Sequence, residues 1–246
     1  MDEVIWARPE RRARGPKPAH SRDDIAAVGI RLADAEGLDA VTMRRVASEL
    51  GTGTTSLYRY VDRKEDIYDL MIDAVLGEDT PPTLTGDWRT DLTALALRMR
   101  DRMLRHPWLG ALSALRPSLG PNSLAWMEFT FAAVDGIGLT ADEMIITSGA
   151  VTTFVLGATV TELAERGLSA SRAQWMAAQG SYGDALATGD SYPVLARIMR
   201  DAELPHQENI AEIAFAQGLA QVLDGLEARL SRHDASPWIV KRSMPR

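Results

Sequence analysis

The feature that most constrains this fold is the stretch from Thr42 to Lys64, which predicts two short helices joined by a glycine turn. Thr42 can cap the start of the first helix, and Gly51 supplies the left-handed residue that commonly ends one. Thr54 can cap the second helix in the same way. The segment therefore predicts a helix-turn-helix.

The second of these helices has an apolar side and a polar side. Leu57 and Val61 are four residues apart, so they share the buried side. Hydroxyl groups and a cation face outward, which suits the DNA major groove, where phosphates and base edges accept hydrogen bonds. We therefore predict that DNA contacts come from the outward residues Thr55, Ser56, Tyr58, Arg59 and Tyr60.

The same segment resembles the TetR family of transcriptional regulators. The runs Thr42–Gly51 and Ser56–Val61, followed by Lys64, are similar to that family, and the resemblance covers about residues 21–76. It implies that the second helix, the outward face of the third helix and a lysine beyond it contact DNA. By this resemblance the contacts are made by Arg44, Thr54, Thr55, Ser56, Tyr58, Tyr60 and Lys64. The two glycines of the turn depart from the family pattern, so the base preference stays open.

Two other structures are compatible with parts of this pattern. A helical hairpin with no role in DNA binding gives a similar short motif, and it stays an alternative. The run Gly51–Ser56 also resembles the start of a glycine-rich dinucleotide-binding loop. That loop is rejected, because the third glycine is missing and the run follows a helix instead of a strand.

Residues 1–20 predict a flexible basic arm. The run Arg8–Pro18 is too polar for a core and too interrupted by proline for a helix. Arginines on such an arm can enter the minor groove beside the recognition helix. A solvated tail that only aids solubility has the same composition, so both interpretations stay open. The first of them predicts DNA contacts by Arg12, Arg14 and Lys17.

Helical periodicity divides the rest of the chain into a DNA-binding head and a helical body. The head covers residues 21–77, and its first helix is predicted to start near Ser21 and to end at Glu36–Gly37. By the family resemblance, the tilt of the last helix of the head sets the separation of two reading heads in a dimer. Residues 87–233 form the body and residues 234–246 a tail. The predicted class is all-α, with body helices at 88–105, 122–134, 141–166, 171–187 (loosely), 192–200 and 208–232.

The body resembles the C-terminal domain of the tetracycline-repressor branch, which binds ligands and dimerises. The resemblance rests on Arg105–Leu109, Leu115–Pro117 and Phe154–Gly157. In that branch the drug arrives with magnesium, held partly by a histidine near the Arg-Pro dipeptide and by acids of the next long helix. Here Thr161 stands where such an acid is expected, so no metal site and no cofactor are predicted.

Two body helices carry wide apolar faces. The helix from Met144 to Leu163 has the length of a membrane span, but its threonines and serines predict a buried core helix and no membrane contact. The last helix has two apolar stripes, and the resemblance implies that such helices pair in a homodimer. The predicted interface consists of Phe215, Leu219, Val222 and Leu226, unless both stripes face the chain's own core.

Aromatic and flexible apolar residues of the body predict an effector pocket. They favour an apolar or aromatic small molecule over a sugar phosphate, because no cationic cluster is evident there. The predicted ligand contacts are Met103, Trp108, Leu112, Trp126, Phe129, Thr153 and Trp175.

Composition argues against an enzyme. The chain has no cysteine, its four histidines lack metal-ligand spacing, and no Gly-x-Ser-x-Gly turn occurs. A net charge of -7 does not oppose DNA binding, because affinity depends on the local basic surface. We therefore predict a cytoplasmic homodimeric repressor that binds a near-palindromic operator and is released by an effector, with repressor over activator resting on family habit. The alternative is a helical sensor or interaction module that acts without DNA.

Overall fold

A computed structural model of the chain describes residues 4–8, 20–115, 118–178, 180, 182–183, 191–203 and 209–231. The described residues form an all-helical fold, as the sequence predicts, because every regular element among them is an α-helix or a 3₁₀ helix. Two 3₁₀ turns cover Ile5–Ala7 and Leu38–Ala40. The α-helices are α1 (Arg22–Glu36), α2 (Met43–Glu49), α3 (Thr54–Leu57), α4 (Lys64–Leu76), α5 (Trp88–Arg105), α6 (Trp108–Leu115), α7 (Pro121–Ala132), α8 (Ala141–Ala178), α9 (Pro193–Asp201) and α10 (Ile210–Ser231).

Local signals set the ends of the head helices. Ser21 begins α1 with a capping box, in which its side chain and that of Asp24 each accept from the other residue's backbone N–H. Thr42 begins α2 by accepting from the N–H of Arg45 at 3.1 Å. Gly51 follows α2 with φ of 68°, and its N–H donates to the Ser48 carbonyl at 3.0 Å. These three predicted boundaries are confirmed.

The head is built by packing α1 across α4 behind the helix-turn-helix. Ile25 and Leu32 of α1 are buried with Ile67 and Met71 of α4. The two helices approach closely at Gly29, where an added Cβ would lie 2.7 Å from the Met71 sulfur. A larger residue at this position would therefore push α1 away from α4.

Part of the predicted flexible arm is fixed to the head. Ile5 is completely buried in the head core. The Arg8 guanidinium pairs with Asp62 and also with the buried Asp66, at 2.6 Å. Arg22 donates to the Arg8 carbonyl at 3.0 Å. Residues 4–8 therefore depart from the prediction of a flexible segment over 1–20, because Ile5 supplies apolar contacts that composition alone did not reveal.

The body packs α5, α7, α8 and α10 around a second apolar core. Helix α6 was not predicted, because the His106-Pro107 interruption obscured a short helix whose Trp108, Leu109 and Leu112 join the core of the head. Helix α8 continues to Ala178 instead of ending at Arg166. The loosely predicted helix at 171–187 is therefore, through residue 178, the end of α8.

Helix α8 is not the buried core helix that the sequence predicts. Only 28% of its most apolar window, within Ala141–Gly167, is buried in the chain, and Ile145, Ile146 and Val160 are exposed. By length and composition alone, α8 is the one helix among the described residues that is long and apolar enough to cross a membrane. Its apolar surface exceeds what the chain itself covers.

The four residues predicted for the subunit interface are placed differently by the structure. Phe215, Leu219 and Leu226 are buried in the body core of the same chain, and Val222 packs against it half-buried. Both stripes of α10 contact α8 or α5 of the same chain, which leaves these side chains little surface for a partner. A dimer interface on this face would consist mainly of exposed residues of α8 and of the groove beside α10.

Candidate DNA interface and its connection to the body

The helix-turn-helix ends in a short recognition helix. Helix α3 spans only Thr54–Leu57 and continues as a hydrogen-bonded turn over Tyr58–Tyr60. Its N-cap is Gly53 without a side-chain cap, so the prediction that Thr54 caps it is wrong. Thr54 lies inside the first turn because the chain enters the helix one residue earlier than the hydroxyl pattern suggested. Buried Leu57 and Val61 fix the element to the head core, as predicted.

Most of the predicted DNA contacts reach the surface of the head. Tyr58 is 51% exposed, and Arg44, Thr55 and Arg59 are also exposed, whereas Thr54, Ser56 and Lys64 are half-buried. Tyr60 packs partly against the head core, so its ring has a structural role as well. Arg12, Arg14 and Lys17 lie outside the described residues.

Charge pairing distinguishes the arginines of α2. Arg45 pairs with Glu36 at 2.9 Å and with Glu49 at 3.3 Å. Arg31 also binds Glu49, and its hydrogen bond is the main cause that lowers the pKa of that carboxyl. Among the described residues no carboxylate pairs with Arg44. The positive charge of Arg44 is therefore available to an external anion, while Arg45 serves the head itself.

Helix α4 is joined to the body at its C-terminal end. The buried Asp73 accepts from the Ser123 N–H at 2.8 Å and from its hydroxyl at 3.1 Å. It also accepts from the Asn122 amide at 3.1 Å. Because Gly120 at the N-cap of α7 has no side chain, Asp73 caps α7 from the neighbouring helix. The Trp126 indole N–H donates to the Leu76 carbonyl at 2.9 Å, which closes the joint.

The loop after α4 is held by cations of α5. Asp79 pairs with Arg98 and Arg102, each at 2.8 Å. Burial alone would raise the pKa of Asp79, but these two arginines outweigh it and lower the pKa. Arg102 also lies over the Trp126 ring at 4.0 Å, and its burial lowers its own pKa. The loop therefore cannot move without separating Asp79 from the buried Arg102.

His106 connects three parts of the molecule. Its Nδ1 lies 2.9 Å from the carboxylate of Asp34 at the end of α1, and its Nε2 lies 3.0 Å from Glu78 in the loop after α4. The Trp108 indole donates to the same Asp34 at 2.7 Å. The sequence alone indicated no role for Asp34, Glu78 or Asp79, whereas Asp73, an acid inside the apolar α4, is a signal of a buried polar contact.

Comparison with known proteins agrees with this geometry. Residues 25–71 match the model "Bacterial regulatory proteins, tetR family", and residues 80–230 match "Tetracyclin repressor-like, C-terminal domain". The chain belongs to the TetR family of transcriptional regulators. It is a DNA-binding regulator with the all-helical fold of that family.

Individual relatives match this TetR-family regulator over most of its length. It is 36% identical to the HTH-type transcriptional repressor DrrR1 of Streptomyces coeruleorubidus, over 94% of this chain and 86% of the relative. It is 38% identical to an HTH-type transcriptional regulator of Saccharopolyspora erythraea, over 65% of this chain and 67% of that one.

A solved structure has the same architecture. ActR from Streptomyces coelicolor, without ligand, superposes with a TM-score of 0.73 at 28% identity, covering 90% of this chain and 100% of ActR. ActR in complex with actinorhodin gives 0.73 at 28% identity, covering 85% of this chain and 96% of ActR.

The predicted ligand residues of the regulator do not meet in one cavity. Met103, Trp108 and Leu112 are buried beside the head, whereas Trp126 and Phe129 form an aromatic pair in the body core with ring centroids 6.0 Å apart. Thr153 is exposed, and the side chain of Trp175 lies outside the described residues. Two grooves of about 280 and 190 Å³ lie between α8 and α10, and none of these side chains lines either.

In the described part of the chain, no group of three or more His, Asp or Glu side chains is arranged to hold a metal ion. The polar centre of the body is instead an ion-pair cluster, in which Arg100 binds Glu162 through two bonds of 2.9 Å and Arg166 binds the same carboxylate. Glu162 is thus engaged by cations of its own chain.

Proposed function

We propose that this chain is a cytoplasmic repressor that binds a near-palindromic operator as a homodimer and leaves it when a small apolar or aromatic molecule binds the body. The observation that carries the proposal is the contrast on α2: Arg45 is neutralised by Glu36 and Glu49, while Arg44 is exposed and pairs with no carboxylate among the described residues. A guanidinium without a carboxylate partner on the surface of a helix-turn-helix is suited to contact a DNA phosphate.

The contacts that we propose divide by chemistry. Arg44, Arg59 and Lys64 supply charge to the DNA backbone, and Thr54, Thr55, Ser56 and Tyr58 supply hydrogen-bond donors to base edges and phosphates. Tyr60 contributes its hydroxyl edge while its ring supports the head. The basic residues Arg12, Arg14 and Lys17 follow Arg8, which is fixed near the recognition turn through Asp62, and we propose that they reach the adjacent minor groove.

A second copy of the chain would cover the apolar face of α8. Ile145, Ile146 and Val160 are exposed on it, and the two grooves between α8 and α10 are lined mainly by apolar side chains. Pairing of α8 and α10 from two subunits would bury these residues in a four-helix bundle. This arrangement accounts for the apolar length of α8 without a membrane.

The chemical class of the proposed effector is inferred from the side chains of the body and from a relative solved with a ligand. Aromatic side chains such as Trp126 and Phe129 fill its core, and the cations Arg98, Arg100 and Arg102 are all engaged by acids. Phosphate-bearing ligands would therefore find no free charge on these three residues. ActR has been solved with actinorhodin bound, which supports an aromatic molecule as effector here.

The test is operator binding at a fixed salt concentration. We expect the protein to bind its own upstream DNA, or a fragment selected from its genome, more tightly than random DNA of equal length. Tyr58→Ala should weaken binding to the specific site by roughly 1–3 kcal/mol with little effect on random DNA. Lys64→Ala should weaken binding to both and reduce the salt slope by about one.

Charge-matched controls separate contact from general electrostatics. Arg44→Ala should weaken binding, while Arg197→Ala, which removes the same charge from exposed surface of α9, should not. Equal losses for the two variants would contradict an Arg44 contact. Absence of selective binding to any genomic fragment would favour a sensor that acts without DNA.

A further inference from the structure

A histidine clamped between two carboxylates joins the head to the body. Asp34 is at the end of α1 in the head, Glu78 is in the loop after α4, and His106 is at the junction of α5 and α6. Each ring nitrogen of His106 faces a different carboxylate, at 2.9 Å and 3.0 Å. Only 8% of His106 is exposed, whereas the two carboxylates that it contacts reach solvent.

Hydrogen-bond counting decides which form of His106 fits this site. A neutral imidazole has one N–H and one acceptor nitrogen, and an ionised carboxylate can only accept. Neutral His106 could therefore donate to Asp34 or to Glu78, but its second nitrogen would face a carboxylate with no proton between them. The imidazolium ion has two N–H groups and satisfies both contacts.

The surrounding charges favour placing this proton on the ring and not on a carboxyl. Asp34 also accepts from the Trp108 indole at 2.7 Å, which stabilises its ionised form. Glu78 pairs with Arg105, which pairs in turn with Asp101 at 3.2 Å. Arg102, the other nearby cation of α5, is bound to Asp79. These contacts favour the ionised form of both carboxylates, which the charge of an imidazolium ion would match.

We propose that Asp34, His106 and Glu78 form a proton-dependent latch, which adds to the contacts between head and body while His106 is an imidazolium ion. Loss of the proton leaves one bridge without a donor and weakens the contact of His106 with either α1 or the loop after α4, while the Trp108–Asp34 and Asp79–Arg102 contacts remain. The latch is therefore closed at low pH and opens as the pH rises through the titration of His106. A loosened head samples orientations that do not match the operator, so DNA affinity falls. The DNA part of this inference rests on the proposed function; the latch itself does not.

The first test uses protein without DNA. The chain has six tryptophans and four histidines, so ¹⁵N labelling of these residues gives few NMR signals, which His106→Gln and Trp108→Phe assign. As the pH is raised, we expect His106 to pass from two protonated nitrogens to one. The Trp108 indole signal should shift with the same midpoint, because both side chains share Asp34. It should not shift in His106→Gln. A Trp108 signal that stays fixed while His106 titrates, or a His106 with one protonated nitrogen throughout, overturns the latch.

The second test measures operator affinity against pH. We expect the dissociation constant of wild-type protein to rise on the order of fivefold between about pH 6 and pH 8.5. His20→Gln, which removes a histidine at the start of the head, should retain this rise, whereas His106→Gln should bind weakly at every pH. An equal pH response in His106→Gln and wild type refutes the role in DNA binding.

A second pair of variants tests the latch even if His106→Gln does not fold. Asp34→Asn replaces the carboxylate by an amide that can pair with the neutral ring as well as with the imidazolium ion, so it should also abolish the pH response. Asp39→Asn makes the same charge change at an exposed site of the head and should retain the response. A retained response in Asp34→Asn refutes the latch. Protein that binds no operator at any pH contradicts the proposed function, and the Trp108 and His106 signals still decide whether the latch exists.

Discussion

Removal of the Asp73 carboxylate should destabilise the protein where α4 meets α7. Asp73 is 3% exposed and receives hydrogen bonds from the Ser123 N–H, the Ser123 hydroxyl and the Asn122 amide. Asp73→Ala removes the cap of α7, which is worth about 1 kcal/mol. It also leaves buried donors without an acceptor, at about 1–3 kcal/mol, while relief from holding a buried charge offsets part of this. We expect a net loss of roughly 2–3 kcal/mol.

Urea unfolding, followed by the circular dichroism of the helices at one fixed protein concentration, measures this loss. Asp73→Asn keeps an oxygen that can accept from the Ser123 N–H, so it should lose about 1 kcal/mol. Asp142→Ala is the matched control, because Asp142 is exposed in the first turn of α8 and its removal costs about 0.5 kcal/mol through the helix dipole. If Asp73→Ala and Asp142→Ala unfold at the same urea concentration, the cross-helix cap has no energetic role.

Three further changes test other parts of the fold. Gly51→Ala should cost about 1–2 kcal/mol of unfolding free energy, because φ is 68° there although space is open; an unchanged urea midpoint would contradict backbone strain. Ile5→Ala should lower the free energy of unfolding by about 2–4 kcal/mol, since Ile5 is fully buried. A loss no larger than that of a substitution at an exposed site would show that residues 4–8 are not anchored. Asp79→Asn should destabilise the protein at pH 7, and its difference from wild type should shrink as pH falls below about 4, because Arg98 and Arg102 lower the folded-state pKa and this stabilisation is lost on protonation. A difference that stays constant from neutral to acid pH would refute the ion-pair explanation.

The features that the sequence predicted well are local ones. Ser21, Thr42 and Gly51 act on their own backbone or on residues within a few positions, so their effects can be inferred without knowledge of the fold. Leu57 and Val61 follow the helical period, which placed the buried side of this element correctly. These short-range rules were sufficient to predict the helix-turn-helix.

The features that the sequence did not predict depend on distant partners. Asp73 and Ser123 are far apart in the chain, and nothing local pairs them. The apolar stripe of α8 indicates burial, but a stripe does not reveal whether the same chain or another one covers it, and Ile145 is in fact exposed. The apolar stripe that contains Phe215 suggested contact with a second subunit, but this side chain is enclosed by the core of its own chain.

Because the cap of Asp73 on α7 joins the head to the body, we expect the proposed effector and the operator to compete through the protein. Coupled sites change each other's affinity by the same factor in both directions. An effector that weakens operator binding is therefore itself held less tightly by protein that sits on DNA. The dose that releases the regulator exceeds the dose that saturates free protein, and extra operator copies in a cell would raise the threshold of the response.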